Sequence, residues 1–154
     1  MPVSRYSQLD ELLTRIHLAR QRPSWRRRLL AGADPVMSVS TLRVLRAVVE
    51  CQRAGDGASI RDVAEFLAVD HSTASRAVAT VVAADMLKKT SSPEDQRRCV
   101  LVLTDVGKKA LAVVTERRQD LIAEIIADWP DADVETLVAL LDRLAERFES
   151  AANE

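Results

Sequence analysis

The sequence predicts a mainly α-helical protein with a small β-hairpin. Apolar residues recur at three- and four-residue steps through most of the chain, which is typical of helices that bury one face. After Met86 the period changes, and two short apolar or β-branched runs flank a turn around Pro93. The chain has 154 residues, enough for one domain with its own core, and its hydrophobic content of 47% is ordinary for a globular protein.

Four helices are expected before the hairpin. The first should run from about Ser7 to Leu30 and kink or break at Pro23, because proline lacks a backbone donor and clashes with the preceding turn. The second should run from about Val39 to Arg53, and two short helices should follow it. The candidate N-caps are Ser38 for the second helix, Ser59 for the third, and Asp70 or Ser72 for the fourth.

The hairpin should lead into two helices at the C-terminal end. Thr104 is a candidate N-cap for the first of them, and Pro130 should end that helix because proline cannot continue it. The expected bounds are Leu87–Thr90 and Cys99–Leu103 for the strands, and about Thr104 to Trp129 and Asp133 to Ala151 for the helices.

Helices at both ends carry apolar stripes that a small middle part cannot cover. The stripes lie between Leu9 and Ala19, between Leu121 and Ile126, and between Val134 and Phe148. Pairing with a second copy is the economical way to bury them, so a homodimer is expected. We therefore expect residues 1–34 and 104–154 to form a helical dimerisation region and residues 35–103 to form a separate lobe, within one intertwined domain.

The net charge of −1 hides an uneven distribution of charge. Residues 1–30 contain seven Lys or Arg residues and two acidic residues, whereas the chain from Thr104 onward contains six Lys or Arg residues and twelve acidic residues. Such a basic front and acidic tail can mask a local basic surface in the total. The apolar runs are too short to cross a bilayer, and the N-terminus lacks the apolar core of a signal peptide, so a cytoplasmic protein without a membrane partner is expected.

The sequence offers little for catalysis or metal binding. Ser-His-Asp and Cys-His sets, glycine-rich phosphate loops and paired acids in a plausible cleft do not stand out, so an enzyme is not expected. Cys51 and Cys99 lie far apart with only two histidines beside them, so neither a disulfide framework nor a metal site nor another cofactor is expected. The two cysteines are expected to be small core residues, with oxidant sensing as the alternative.

Three segments resemble the multiple antibiotic resistance regulator (MarR) family of bacterial winged helix-turn-helix proteins. Ile60–Arg76 is similar to the start of its helix-turn-helix, Ser91–Arg98 to the tip of its wing, and Leu103–Gly107 to the junction with its long dimerisation helix. Helix-turn-helix patterns are loose, but three segments in the same order and spacing make the resemblance specific. It implies a winged helix-turn-helix lobe with dimerisation helices, and a homodimeric transcriptional repressor that binds a palindromic operator in double-stranded DNA.

The chain departs from the family pattern just after the fourth helix. The family usually has a glycine where this chain has Asp85. The position calls for left-handed backbone, which Asp adopts more readily than most non-glycine residues, so the local geometry should survive. The large side chains usual late in that helix are replaced by Val81–Ala84, which leaves few phosphate contacts there.

The resemblance places DNA-binding residues on the fourth helix and the hairpin. The hydroxyls and the arginine of the helix suit base edges or phosphates in the major groove. At the hairpin tip Arg97 is the better candidate for the narrow minor groove, and Asp95 could hold a guanidinium by a bidentate pair. The competing interpretation is a solvated helix face and an exposed charged turn. The candidate DNA-binding residues are His71, Ser72, Thr73, Ser75, Arg76, Lys88, Asp95, Arg97 and Arg98.

The resemblance also implies a small apolar or aromatic effector that releases the DNA. The candidate walls of its site are Ile16, His17, Leu42, Leu45 and Leu111. The alternative is aliphatic packing without a cavity, with His17 partly buried at the dimer seam. The competing function for the whole chain is a winged-helix dimer that binds another protein and not DNA. Hydroxyls and arginines on the candidate surface favour DNA, because a protein-binding surface would gain exposed apolar residues.

Overall fold

The structure, a computed structural model, describes residues 3–35, 37–55 and 57–152. The helices before the hairpin are α1 (Arg5–Gln21), α2 (Pro23–Leu30), α3 (Val39–Ala54), α4 (Ile60–Leu67) and α5 (His71–Ala83). They are followed by β1 (Leu87–Ser91), β2 (Cys99–Leu103), α6 (Asp105–Ile125) and α7 (Asp131–Ala152). The predicted class, mainly helical with a small hairpin, is confirmed.

Pro23 divides the N-terminal helical segment into α1 and α2, as predicted. It occupies the first turn of α2, where its missing N–H is not needed. Arg22 is extended, with a ψ of 142°, because a proline ring disfavours helical backbone in the residue before it. The segment begins at Arg5, slightly before the predicted Ser7, since Ser4 acts as the N-cap and accepts a hydrogen bond from a backbone N–H of the first turn.

Side-chain caps fix the starts of α3, α4 and α5. The hydroxyls of Ser38 and Ser59 each accept a hydrogen bond of 3.1 Å from the backbone N–H three residues further on, as predicted. At α5, where two caps were possible, Asp70 takes the N-cap position and Ser72 lies within the helix. The helix starts are therefore encoded locally, by polar side chains that satisfy otherwise unpaired backbone donors.

The core lies where α3, α4 and α5 pack against one another, with β2 against α3 and β1 against α5. Its largest fully buried side chains include Leu45, Val48, Val63, Val78, Val81 and Leu101. Aliphatic burial of this kind contributes about 1.5–3 kcal/mol for each side chain and holds the lobe together.

The hairpin pairs β1 and β2 antiparallel, from Leu87 opposite Leu103 to Ser91 opposite Cys99. The predicted β2 is confirmed, and β1 extends slightly past its predicted end. A short third pairing joins the hairpin to the segment before α4, because the Leu101 N–H donates to the Ala58 carbonyl at 2.7 Å. This pairing connects the sheet to the helical lobe through the backbone.

The two cysteines differ in their surroundings. The expectation that Cys99 is a core residue is wrong: its place at the end of the hairpin ladder leaves it exposed. Cys51, in the last turns of α3, is half-buried. Burial raises the pKa of its thiol, and the nearby carboxylates of Asp62, Glu50 and Glu65 raise it further. A thiol held protonated in this way is a poor nucleophile.

The connection between α6 and α7 is longer than predicted, because α6 ends earlier. α6 ends at Ile125, before the expected Trp129, and the chain turns so that the Trp129 N–H donates to the Ile126 carbonyl. α7 begins directly after Pro130, whose carbonyl accepts the first hydrogen bonds of the helix. The helical pattern of apolar residues thus continues past the true end of α6. Trp129 itself cannot readily be helical, because it precedes a proline.

The chain divides into two compact units, Met1–Arg117 and Arg118–Glu154. In the first unit α1 buries none of its residues, and apolar side chains of its predicted stripe such as Ile16 (58%) are exposed. In the second unit α7 also buries none, and Val138 (63%) and Phe148 (60%) are exposed. The predicted stripes of α1 and α7 are largely uncovered in the single chain, whereas in the stripe of α6 Leu121 is buried and Ile122 and Ile125 are exposed.

Within the described ranges 3–35, 37–55 and 57–152, none of the helices combines the length and the apolar character that a membrane span requires. Groups of three or more His, Cys, Asp or Glu side chains arranged to hold a metal ion are also not found in those ranges.

Candidate nucleic-acid interface

The start of α5 is fixed by a cap that involves one of the candidate DNA-binding residues. Asp70 accepts hydrogen bonds of 2.8 Å from both the backbone N–H and the hydroxyl of Thr73. The bond from the backbone N–H is the main reason that the pKa of Asp70 is lowered. Because the Thr73 hydroxyl donates to the cap, it faces a ligand mainly as an acceptor.

The outward face of α5 is polar and open to solvent. His71, Ser72, Thr73 and Arg76 are exposed, while Ser75 is half-buried. The opposite face is buried in the core through Ala74, Val78 and Val81. Four of the five predicted helix residues are therefore exposed, and the fifth is turned partly inward.

The end of α5 has the left-handed residue expected there. Asp85 adopts a φ of 61°, which lets the Met86 N–H reach the Val81 carbonyl at 3.2 Å. Thr104, just before α6, then joins the same turn: its hydroxyl donates to the Asp85 carbonyl and its N–H to the Met86 carbonyl. Both ends of α5 are thus held by specific hydrogen bonds.

The tip of the hairpin is a closed turn. We call β1, β2 and the turn between them, residues 87–103, the wing. The Ser92 N–H donates to the Arg98 carbonyl at 2.8 Å, and the Arg98 N–H donates to the Asp95 carbonyl at 2.9 Å. The Asp95 carboxylate accepts the backbone N–H of Arg97 at 3.0 Å, a contact with the main chain where the sequence suggested a pair with a guanidinium. The side chain of Arg97 is exposed.

Arg98 points to a different partner from the one suggested by its sequence neighbours. Its guanidinium lies 3.0 Å from a carboxylate oxygen of Asp62 in the first turn of α4. Burial raises the pKa of Asp62, but hydrogen bonds from Ser59 and the charge and hydrogen bond of Arg98 outweigh it, so the net pKa is lowered. Sequence reasoning missed this pair because 36 positions separate its members.

Lys88 and Arg43 supply further positive charge. Lys88, exposed on β1 opposite Val102, lies where the sequence placed it. Arg43 of α3 was not singled out, yet it lines a small cavity of about 100 Å³ together with Thr73 and Ala77 of α5. The sequence could have identified Arg43, because it is a basic residue on the face of α3 opposite the apolar stripe, and the structure shows it exposed.

The five candidate effector-site residues do not share one environment in the single chain. Leu42 and Leu45 are buried in the core of the lobe. Ile16 and His17 are exposed on α1, where the Gln21 amide lies 2.8 Å from His17 Nε2, and Leu111 of α6 is half-buried. An effector site that uses all five residues stays a prediction.

Residues 37–98, from just before α3 to the turn of the wing, match the model of the MarR family. This part of the chain is similar to the MarR family. The resemblance found in the sequence is thereby confirmed. A curated relative from Bacillus subtilis (strain 168), the uncharacterized HTH-type transcriptional regulator YxaD, is 28% identical over 91 residues. The matched part spans 59% of this chain and 64% of that relative, slightly less than two thirds of its length.

Solved structures extend the MarR-type fold to nearly the whole chain. A MarR family protein from Bacillus stearothermophilus is similar with a TM-score of 0.77 and 17% identity, over 94% of this chain and 95% of that chain. The PcaV transcriptional regulator from Streptomyces coelicolor, in complex with its natural ligand, has a TM-score of 0.57 and 23% identity, over 95% of this chain and 97% of that chain. At these identities the likeness concerns the fold.

Proposed function

We propose that this chain is a homodimeric transcriptional regulator that binds double-stranded DNA, with α5 in the major groove and the wing in the minor groove. The observation that carries the proposal is the presence of two exposed polar surfaces on one lobe, the outward face of α5 and the wing tip with Arg97. α5 packs against β1, so the two surfaces have a fixed relation. A helix fits the major groove, and an arginine on a hairpin suits a narrow minor groove.

The residue types on α5 can both position the protein and read bases. The exposed hydroxyl of Ser72 can donate to or accept from a base edge or a phosphate. Arg76 can bind guanine or a phosphate with two parallel hydrogen bonds. Lys88 and Arg43, exposed on neighbouring elements, add charge that attracts the phosphate backbone.

The dimer is supported by the uncovered apolar side chains of α1, α6 and α7. A two-fold dimer would cover them and would present two α5 helices to successive major grooves, about 34 Å apart, on a roughly palindromic site. Occupation of such a site in a promoter excludes other proteins, which is the basis for a repressor. The names of YxaD and PcaV as transcriptional regulators support regulation as the role.

A small apolar or aromatic effector would release the DNA by preferring a dimer with a different spacing of the two α5 helices. It can shift the equilibrium only by its differential affinity for the two forms. PcaV was solved with its natural ligand, which supports an effector of some kind. Titration of the DNA-bound protein with salicylate-like and other phenolic compounds, followed by DNA release and thermal shift, tests this part; if no compound changes either signal, the effector part is dropped.

Selection of bound fragments from genomic and random DNA tests the main proposal. We expect a roughly palindromic motif with half-sites about 10 bp apart, bound at least a thousandfold more tightly than unrelated DNA. Gel shift with the selected fragment then gives the affinity. If the folded protein enriches no motif and binds all DNA only with a Kd of about 10⁻⁴–10⁻⁶ M, typical of non-specific contact, the proposal is overturned in favour of a winged-helix protein-interaction module.

A further inference from the structure

We infer that Arg98 is a positioning residue that anchors the wing to α4 through Asp62, and that Arg97 makes the arginine contact of the wing with DNA. The inference rests on the proposed DNA-binding function and assigns different roles to two neighbouring arginines. Both are basic residues of the same turn, and the sequence alone counts both among the candidate DNA-binding residues.

The contact between Arg98 and Asp62 joins two elements that are distant in sequence. Nη2 of Arg98 lies 3.0 Å from Oδ2 of Asp62, so the turn of the wing is tied to the first turn of α4. The exposed fraction of the Arg98 side chain is 38%, and that of the Asp62 side chain is 33%. A half-buried pair of this kind is screened less by water and salt than a pair on the open surface.

Asp62 is held in place independently of Arg98. The same Oδ2 atom accepts the backbone N–H of Ser59 at 2.9 Å and the Ser59 hydroxyl at 2.8 Å, as part of the capping box of α4. The carboxylate is therefore oriented by the start of the helix and loses little further freedom when the guanidinium binds. A fixed acceptor of this kind defines where the arginine, and with it the wing, must lie.

The backbone of Arg98 closes the turn that carries Arg97. Its N–H donates to the Asp95 carbonyl and its own carbonyl accepts the Ser92 N–H. An anchor on the Arg98 side chain therefore restrains the whole turn relative to α4. The side chain of Arg97, whose N–H is held by the Asp95 carboxylate, points into solvent and is available to DNA.

Charge also separates the two arginines. A guanidinium paired with a carboxylate presents little net charge to a phosphate, and a DNA contact would have to break that pair. If the pair broke on DNA, Asp62 would be left as an unpaired anion close to the wing and would repel the phosphates. Arg98 thus acts on DNA binding through the position of the wing.

The test compares two substitutions whose direct electrostatic effects on DNA binding are opposite. Arg98→Gln removes a positive charge, and Asp62→Asn removes a negative one while keeping an oxygen that can accept from Ser59. Loss of a shared anchor weakens binding in both variants, and we expect a loss of about three- to tenfold in each. The double variant should bind no more weakly than the weaker single variant, because the interaction is already lost.

Two control variants isolate the anchor from other effects. Arg97→Gln should lower the slope of log affinity against log salt by about one, whereas Arg98→Gln should leave that slope unchanged, because no DNA contact is lost. Ser59→Ala removes the hydroxyl of the α4 cap, but the Ser59 N–H still orients Asp62 and the pair with Arg98 is kept, so it shows what weakening the cap alone does. Its DNA affinity should stay within about twofold of wild type.

A measurement on the protein without DNA tests the anchor independently of the proposed DNA-binding function. Hydrogen exchange at the amides of Ser92, Arg97 and Arg98 should be faster in Arg98→Gln and in Asp62→Asn than in Ser59→Ala or wild type. If exchange does not change, the anchor is overturned even when DNA is bound; if exchange increases but no DNA is bound, the anchor stands and the DNA-binding function fails. If Arg98→Gln lowers affinity and salt slope while Asp62→Asn binds as well as or better than wild type, Arg98 contacts DNA directly and the inference is wrong.

Discussion

Gly107, in the first turn of α6, lies directly against the backbone carbonyl of Met86, in the turn that follows α5. A Cβ atom at position 107 would overlap the carbonyl oxygen and carbon of Met86. Thr104 reinforces the junction, because its N–H donates to the same carbonyl at 3.1 Å and its hydroxyl to that of Asp85. The end of α5 and the start of α6 are therefore held together through backbone atoms, and a shift in one must be followed by the other.

Gly107→Ala should destabilise the protein although alanine is the better helix former. The overlap with Met86 should lower the free energy of unfolding by about 2 kcal/mol or more, which outweighs the gain of roughly 1 kcal/mol for alanine over glycine in a helix. Urea unfolding followed by circular dichroism measures the change. The matched control is Lys108→Ala at the next, exposed position, which should change stability by less than about 0.5 kcal/mol. A stable Gly107→Ala variant would mean that the junction is loose.

Local signals in the sequence were enough to predict most of the fold. Helix caps such as Ser38 and Ser59, the break at Pro23 and the left-handed Asp85 each depend on the chemistry of a few adjacent residues. Such features are decided within one turn of the chain, so they can be read without knowing the tertiary structure.

The candidate site could be predicted only in part, because its details depend on contacts between distant residues. The polar face of α5 followed from helical period, but the partner of Arg98 did not, since Asp62 lies 36 positions away. The spacing of apolar residues in α1 and α3 also shows which side chains share a helix face, but it does not show what covers that face. Leu45 is buried in the lobe and Ile16 is exposed, although the sequence placed both in one effector site.

The stabilising contribution of the ionised Asp62 carboxylate should be lost in acid. Burial raises its pKa, but the hydrogen bonds from Ser59 and the interaction with Arg98 lower it more, so the folded state favours the ionised form. A carboxylate whose pKa is lower in the folded state stabilises the fold fully above its unfolded pKa of about 4. That contribution is lost as the pH falls through the lowered, folded-state value.

The comparison of wild type with Asp62→Asn measures this contribution. At neutral pH the variant should be less stable by about 0.5–1 kcal/mol, because the amide is a weaker cap and forms no ion pair with Arg98. Urea unfolding at a series of pH values should show the gap shrinking below about pH 4, where the Asp62 carboxyl of the unfolded wild type binds its proton before that of the folded protein does. A gap of constant size down to acid pH would contradict the assigned role of the ionised carboxylate.

Arg76→Ala should weaken binding to the selected DNA site by about 1–3 kcal/mol and relax the preference at one base position. The reason is that Arg76 is exposed on the outward face of α5, with a reach and geometry that suit guanine. Fluorescence anisotropy with the selected site and with single-base variants of it measures both effects. Arg53→Ala is the matched control, since Arg53 is equally an exposed arginine but lies at the end of α3 and pairs with Glu50 at 3.4 Å. An equal loss on every sequence would reassign Arg76 to a phosphate.

The protein should be a dimer at micromolar concentration, and a charge placed in the apolar stripe of α7 should dissociate it. At 100° per residue Leu141 lies near the centre of the stripe that includes Val138 and Phe148, while Ala139 lies on the opposite face of the same helix. Both positions are exposed in the single chain, so Leu141→Glu and Ala139→Glu should leave each protomer folded. Burying a carboxylate against apolar side chains is costly, so Leu141→Glu should weaken the dimer at least about tenfold.

Sedimentation velocity over a concentration series, with circular dichroism on the same samples, distinguishes the outcomes. Wild type and Ala139→Glu should sediment as dimers, and Leu141→Glu should shift towards a folded monomer that loses the palindromic site but keeps weak, salt-sensitive binding to DNA. That result would show that the stripe holds two copies together and that paired recognition depends on it. A wild-type chain that stays a stable, well-folded monomer at micromolar concentration contradicts the dimer, and with it the argument that a second copy covers the apolar side chains of α1, α6 and α7.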